Sequence, residues 1–173
     1  MFHLAEGDTI FRYLHIMAGI FWMGLLWFFN LINAKVMKEV PPEVKKEVFP
    51  RLMGPAMWWF RWTAMWTVIF GLILFGLMWE RLGGLMEINA AIYLGMILAI
   101  YMWFNVWFMI WPRQRQLIDH MGGDGPKPAD DVAPKAAFFS RINAWLSIPM
   151  IFLMVASAHL GARFPSLGAL FGA

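Results

Sequence analysis

Four apolar stretches, at residues 9–34, 56–79, 88–111 and 138–162, each approach or exceed the ~20 residues that an α-helix needs to cross a ~30 Å hydrocarbon core. Inside a bilayer no water is available to the backbone, so continuous apolar runs of this length are expected to fold as helices that satisfy their own N–H and C=O groups. Composition agrees: 61% of the 173 residues are hydrophobic, 14% are charged and the mean hydropathy is +0.59. A soluble domain averages ~45–50% apolar and ~25% charged residues. The chain therefore reads as all-α and integral to a membrane. The first stretch follows the acidic residues Glu6 and Asp8 and lacks the basic start and small-residue cleavage site of a signal peptide, so it is expected to be retained.

The connections set the topology. Residues 35–55 form a polar link in which Pro41-Pro42 precedes the charged run Glu43-Val44-Lys45-Lys46-Glu47, with room for a short surface helix. Residues 112–137 carry the breaker run Gly122-Gly123-Asp124-Gly125-Pro126, and a short turn surrounds Gly83-Gly84. This pattern predicts a single-domain, up-down-up-down four-helix bundle. The side bearing the first and third links holds Lys35, Lys38, Lys45, Lys46, Arg51, Arg113, Arg115, Lys127, Lys135 and Arg141, and the other side holds Arg12, Arg81 and Arg163. The positive-inside rule then places links 35–55 and 112–137 in the cytoplasm and both termini in the periplasm of a bacterial inner membrane. The pI near 9.5 needs no nucleic-acid partner to explain it. Trp58, Trp59, Trp62, Trp79, Trp107, Trp111 and Trp145 fall near span ends, as in interfacial aromatic belts.

Cysteine is absent, which excludes disulfides, iron–sulfur ligation, thiolate catalysis and covalent haem attachment. Attention falls on His15 and His159 in the two outer spans. His15 lies six residues into an inward-running helix and His159 three residues before the end of an outward-running one, so at ~1.5 Å per residue both fall roughly 5–9 Å below the outer boundary. Two imidazoles level with each other on facing helices are the arrangement that ligates a b-type haem within a bundle. Ala18, Gly19 and Trp22 share the His15 face, offering small residues for a flat ring and an aromatic against its edge. Phe152 lies two turns before His159 and is expected to wall the same ring, while Arg12 is placed to meet a propionate or to snorkel to headgroups. The alternative reading puts both histidines at the interface, neutral and bonded to carbonyls.

Other polar groups at membrane depth are fewer. Arg61, within Trp58-Trp59-Phe60-Arg61-Trp62, can snorkel, stack on tryptophan or bind an anion. Asn105 and Asn143 are expected to hydrogen-bond across helices, and Gly71, Gly76 and Gly95 to permit close helix approach. His3 reads as a tail residue, His120 as a loop residue, and the 15 methionines as packing. No span carries a central Asp or Glu, which leaves a carboxylate proton relay without support.

The motifs Leu14-His15 with Trp22-Met23-Gly24, Trp59-Phe60-Arg61-Trp62 with Trp66, Asn105-Val106 with Phe108, Ile110, Pro112 and Gln114, and Asn143, Leu146, Pro149, Phe152-Leu153-Met154, Ser157 and His159 resemble the N-terminal membrane domain of bacterial urate hydroxylases. The first of these motifs is also similar to copper-resistance-type membrane proteins and to four-helix membrane protoporphyrinogen oxidases. Members of the urate hydroxylase family join the membrane domain to a cytochrome c domain, which this sequence does not carry, and Arg141-Ile142 stands where a further histidine is expected. The resemblance implies a membrane redox module, with haem b held at His15 and His159, that hands electrons to a separate periplasmic cytochrome c or joins a respiratory complex, with a homodimer restoring a longer bundle. Two further readings stay open: a cofactor-free accessory subunit of a larger membrane complex, and an oxidase acting on urate or a similar heterocycle, with Arg61 or Arg12 binding the anion.

Overall fold

The computed structural model describes residues 2–160 and 164–172, without the side chains of residues 2–6. Ala162, the expected end of the fourth span, Arg163 and the His3 side chain lie outside the described residues. Four helical rods make up nearly everything else. The first is α1 (Phe2–Trp27), continued through a π-helical segment, Phe28–Asn33, into α2 (Ala34–Glu39). The second is α3 (Pro42–Leu82), the third is α4 (Ala90–Phe104) running through a π-helical segment, Asn105–Ile110, into α5 (Trp111–Gly122), and the fourth is α6 (Val132–His159). All four are long and apolar enough to cross a membrane, as expected of an integral membrane protein. A short α7 (Leu167–Phe171) follows, and among the described residues there is no strand.

Consecutive rods pack side by side, α1 on α3, α3 on α4 and α5, and α4 on α6, and α6 closes the ring against α1. The turns between them are punctuated as local chemistry requires. Gly83 and Gly123 end α3 and α5 in the left-handed region at φ 79° and 88°, where a Cβ is costly. Asn89 starts α4 by accepting the Ala91 N–H at 2.8 Å.

The rods run further than the apolar stretches alone suggest. The expected link at 35–55 is almost wholly helical, with Val40 and Pro41 separating α2 from α3. Both residues are extended, as residues before proline prefer, and Pro42 opens α3 with its φ already set. Glu47 and Arg51, one turn apart, form an ion pair of 3.1 Å on the new helix. Likewise α5 carries the third rod past residue 112 to Gly122.

The core contains Trp22, Leu26, Phe29, Met57, Phe60, Met102, Val106 and Met150. Polar bonds to the fourth rod lie among these apolar contacts. Asn105 donates to the Asn143 side chain at 2.9 Å, and Asn143 donates to the Met102 carbonyl at 2.9 Å, so the two asparagines bond across helices as expected. From the first rod, Trp27 donates to Ser147 at 3.0 Å and Asn30 to Ser140 at 2.9 Å. Both π segments lie against α6 at this level; the wider turns re-aim these side chains by adding a residue to the helical circuit.

A cavity containing both histidines

His15 projects from α1 towards α3, where its Nδ1 lies 2.8 Å from the Thr67 carbonyl oxygen. A carbonyl only accepts, so in the neutral imidazole Nδ1 carries the proton and Nε2 keeps its lone pair. The approach depends on Gly71. A Cβ there would stand 3.0 Å from His15 Cε1 and 3.2 Å from Nδ1, tight enough that the ring would have to shift by a few tenths of an ångström. Gly95 does comparable work between α4 and α6, where a Cβ would meet Met154 Cε at 3.1 Å. Gly76 faces open space and mediates no close approach.

The imidazole borders a cavity of about 490 Å³ enclosed by all four rods. Arg12, His15 and Ile16 line it from α1, and Thr67, Gly71 and Phe75 contribute from α3. Met96 and Ala99 come from α4, and Met154, Ser157 and His159 from α6. Both histidines thus face one apolar space of the size range, ~300–1,000 Å³, that houses small molecules and cofactors. Ile16, Leu72, Ile100 and Val155 border the cavity and are also exposed on the outside of the bundle, so its wall is thin towards the lipid.

At its polar end the cavity adjoins a vestibule of about 520 Å³, with which it shares Arg12, Met78 and Ser157. Arg81, Glu87, Asn89 and Ser166 line the vestibule as well. Its rim is fixed by the chain after the fourth rod: the Ala90 N–H donates to the Pro165 carbonyl at 3.1 Å, and the Leu167 N–H to the Ile88 carbonyl at 3.0 Å. Arg12 is already engaged there by Asp8, at 2.8 Å.

Three expected neighbours of the ring lie elsewhere. Trp22 is fully buried, two turns or ~10 Å beyond His15, in the core beneath the cavity. Gly19 packs α1 on α3, its Cβ position 3.8 Å from Thr67 Cγ2. Phe152 is 60% exposed and points away from the cavity. It does share a face with His159, but His159 stands at the cavity's rim, so that face is turned largely outward. Thr67 escaped notice in the sequence and Arg81 was read only for its charge; Gly71 does permit the close helix approach expected of it, with His15 as the neighbour that its small size could not name. His120, expected in a loop, instead lies in the last turn of α5, with Nδ1 3.4 Å from the Gly125 carbonyl oxygen.

Among the described residues no three His, Cys, Asp or Glu side chains converge on a point that would hold a bare metal ion. Two imidazoles facing one apolar cavity suit a metal whose remaining ligands come from an organic ring, so the donor set fits haem better than a free ion. Comparison with known proteins gives one finding. A family model described as urate oxidase N-terminal matches residues 79–167, a little over half of the chain, spanning the third and fourth rods and including His159. No curated protein and no solved structure matches the chain.

Proposed function

Because this chain belongs to the urate oxidase N-terminal family, we propose that it is a membrane-embedded b-type haem protein working in electron transfer, in which His15 and His159 would hold the haem iron. The observation that carries this reading is the placement of both imidazoles on one apolar cavity, with the His15 ring oriented by the Thr67 carbonyl so that Nε2 is left for a metal. A ligating histidine typically donates its other N–H to a carbonyl or carboxylate, which fixes its orientation and raises its basicity. Haem b, when bound, supplies one-electron redox chemistry at a potential set by its ligands and surroundings. Met96, Met154 and Phe75 would exclude water, and Arg12 and Arg81 would offset carboxylates projecting into the vestibule. The excess of Lys and Arg at the opposite end supports, by the positive-inside rule, a reading in which the histidine end is the outer one and would pass electrons to a periplasmic cytochrome c or a partner subunit of a respiratory complex.

A reduced-minus-oxidised visible spectrum of the detergent-purified protein, with a pyridine haemochrome assay for stoichiometry, tests the proposal. A low-spin b-type signal at about one haem per chain that disappears in His15→Ala and His159→Ala is the expected result. A full complement of low-spin haem in either variant would rule out the ligand assignment.

The vestibule favours a second reading. Arg12 and Arg81 on one polar space would suit an anionic planar heterocycle, making the protein an oxidase related to urate hydroxylases. Oxygen uptake that depends on urate and is lost in Arg81→Gln would support it; a chain that shows haem but no such uptake is an electron-transfer protein alone.

A further inference from the structure

Arg61 lies in the half of the bundle remote from the histidine cavity. On α3, Trp58 and Trp79 are separated by ~31 Å at ~1.5 Å per residue, which matches a ~30 Å hydrocarbon core. Tryptophans at these two levels mark the two interfaces, and Arg61 sits one turn inside the first, at the boundary of headgroups and acyl chains. Its guanidinium carbon is 4.1 Å from the ring centre of Trp111, 5.0 Å from that of Trp107 and 5.5 Å from that of Trp62. Trp62 and Trp107 meet edge to face at 5.7 Å and hold the enclosure together.

Ring faces attract a cation but carry no net charge, so the enclosure leaves the positive charge of Arg61 uncompensated. Among the described residues no carboxylate pairs with Arg61 and no acceptor takes a hydrogen bond from it; its Nε is buried without a partner. Trp107 Nε1, on one of the enclosing rings, is also a buried donor without an acceptor. Arg115, near enough to act on Arg61 electrostatically, has the same sign and is committed to Asp119 at 2.8 Å. Charges at this depth are usually paired, so a cation left without a counter-ion at the headgroup boundary defines a place for an anion.

We propose that Arg61, Trp107 and Trp111 bind the phosphodiester of an anionic phospholipid in the leaflet remote from the histidines. The planar guanidinium fork matches two phosphate oxygens. The exposed rings of Trp58 and Trp59, packed edge to face at 5.1 Å, offer an apolar surface next to it for acyl chains. A zwitterionic lipid would bring its own ammonium to this already positive corner and bind less well.

Native mass spectrometry of the full chain, titrated with phosphatidylglycerol or phosphatidylcholine, tests the site. The expected result is one retained phosphatidylglycerol per chain, preferred about tenfold over phosphatidylcholine, with the preference lost in Arg61→Gln. Equal retention of the two lipids by the wild type, or an undiminished preference in Arg61→Gln, would overturn the proposal. Should Arg61→Gln yield no folded protein, Arg61→Lys keeps the charge without the fork; a reduced preference supports the site and an unchanged one overturns it. Millimolar inorganic phosphate is added as a competitor: complete displacement of phosphatidylglycerol would assign the site to free phosphate and overturn the lipid assignment, while persistence of the lipid supports it.

Discussion

The Nδ1 of His15 lies 2.8 Å from the backbone carbonyl oxygen of Thr67, a bond that joins the first rod to the second and is possible because residue 71 is glycine. One imidazole orientation thus depends on two backbone features of the neighbouring helix. Replacing Thr67 should leave the bond intact, since the carbonyl belongs to the main chain.

Gly71→Ala is the direct test. The added methyl would stand 3.0 Å from His15 Cε1, forcing the ring off its carbonyl or the helices apart. Overpacking of this kind costs ~1–3 kcal/mol. A lower thermal midpoint is expected, together with loss or a spectral shift of any haem signal, whereas Gly76→Ala, which meets open space, should change neither.

Asn143→Leu should destabilise the bundle by ~1–3 kcal/mol, because it strands the Asn105 side-chain amide in a dry core and takes from the Met102 carbonyl its bond across the helices. The double variant Asn105→Leu/Asn143→Leu removes the mismatch as well as the bond and should cost less than the sum of the single variants. Reversible unfolding in mixed detergent micelles gives the coupling energy.

Phe152→Ala and Met154→Ala separate the outward face of α6 from the cavity face. Phe152 is exposed and Met154 lines the cavity, so haem content should fall in the second variant and stay at the wild-type level in the first. The opposite ranking, read by haemochrome assay, would place the cavity wall wrongly.

Outside the membrane, Lys135 donates to Asp131 at the start of α6 and holds that carboxyl below its usual range, the hydrogen bond and the charge both favouring the ionised form. A carboxyl lowered in the folded state adds stability above its unfolded range and loses it as pH falls through the folded one. Protection of the first-turn amides of α6 against exchange, corrected for the intrinsic rate at each pH, should therefore fall in acid, and Asp131→Asn should flatten that dependence.

Sequence reasoning reached what axial arithmetic can reach. Counting residues along α1 and α6 put His15 and His159 towards the same end of the bundle because a helix advances by a fixed rise, and there both line one cavity. Counting along one helix does not say which way its face turns once packed, and for that reason Phe152 and Trp22 were assigned to a wall they do not form. Thr67, and the identity of the side chain that Gly71 admits, stayed hidden for a related cause: both exist only across an interhelical contact, and a carbonyl oxygen has no residue type. Residues 35–55 misled in another way, since a polar stretch broken by prolines reads as a link until Pro42 is seen to open a helix and Pro50 and Pro55 to ride within it.

The thin wall formed by Ile16, Leu72, Ile100 and Val155 bears on supply. A molecule that arrives through that side has already dissolved among acyl chains, and it searches for the opening by diffusing in two dimensions. For such a visitor the quantity governing occupancy is its mole fraction in the bilayer, and a compound scarce in water but strongly partitioned into lipid would fill the site ahead of one abundant in the aqueous phase.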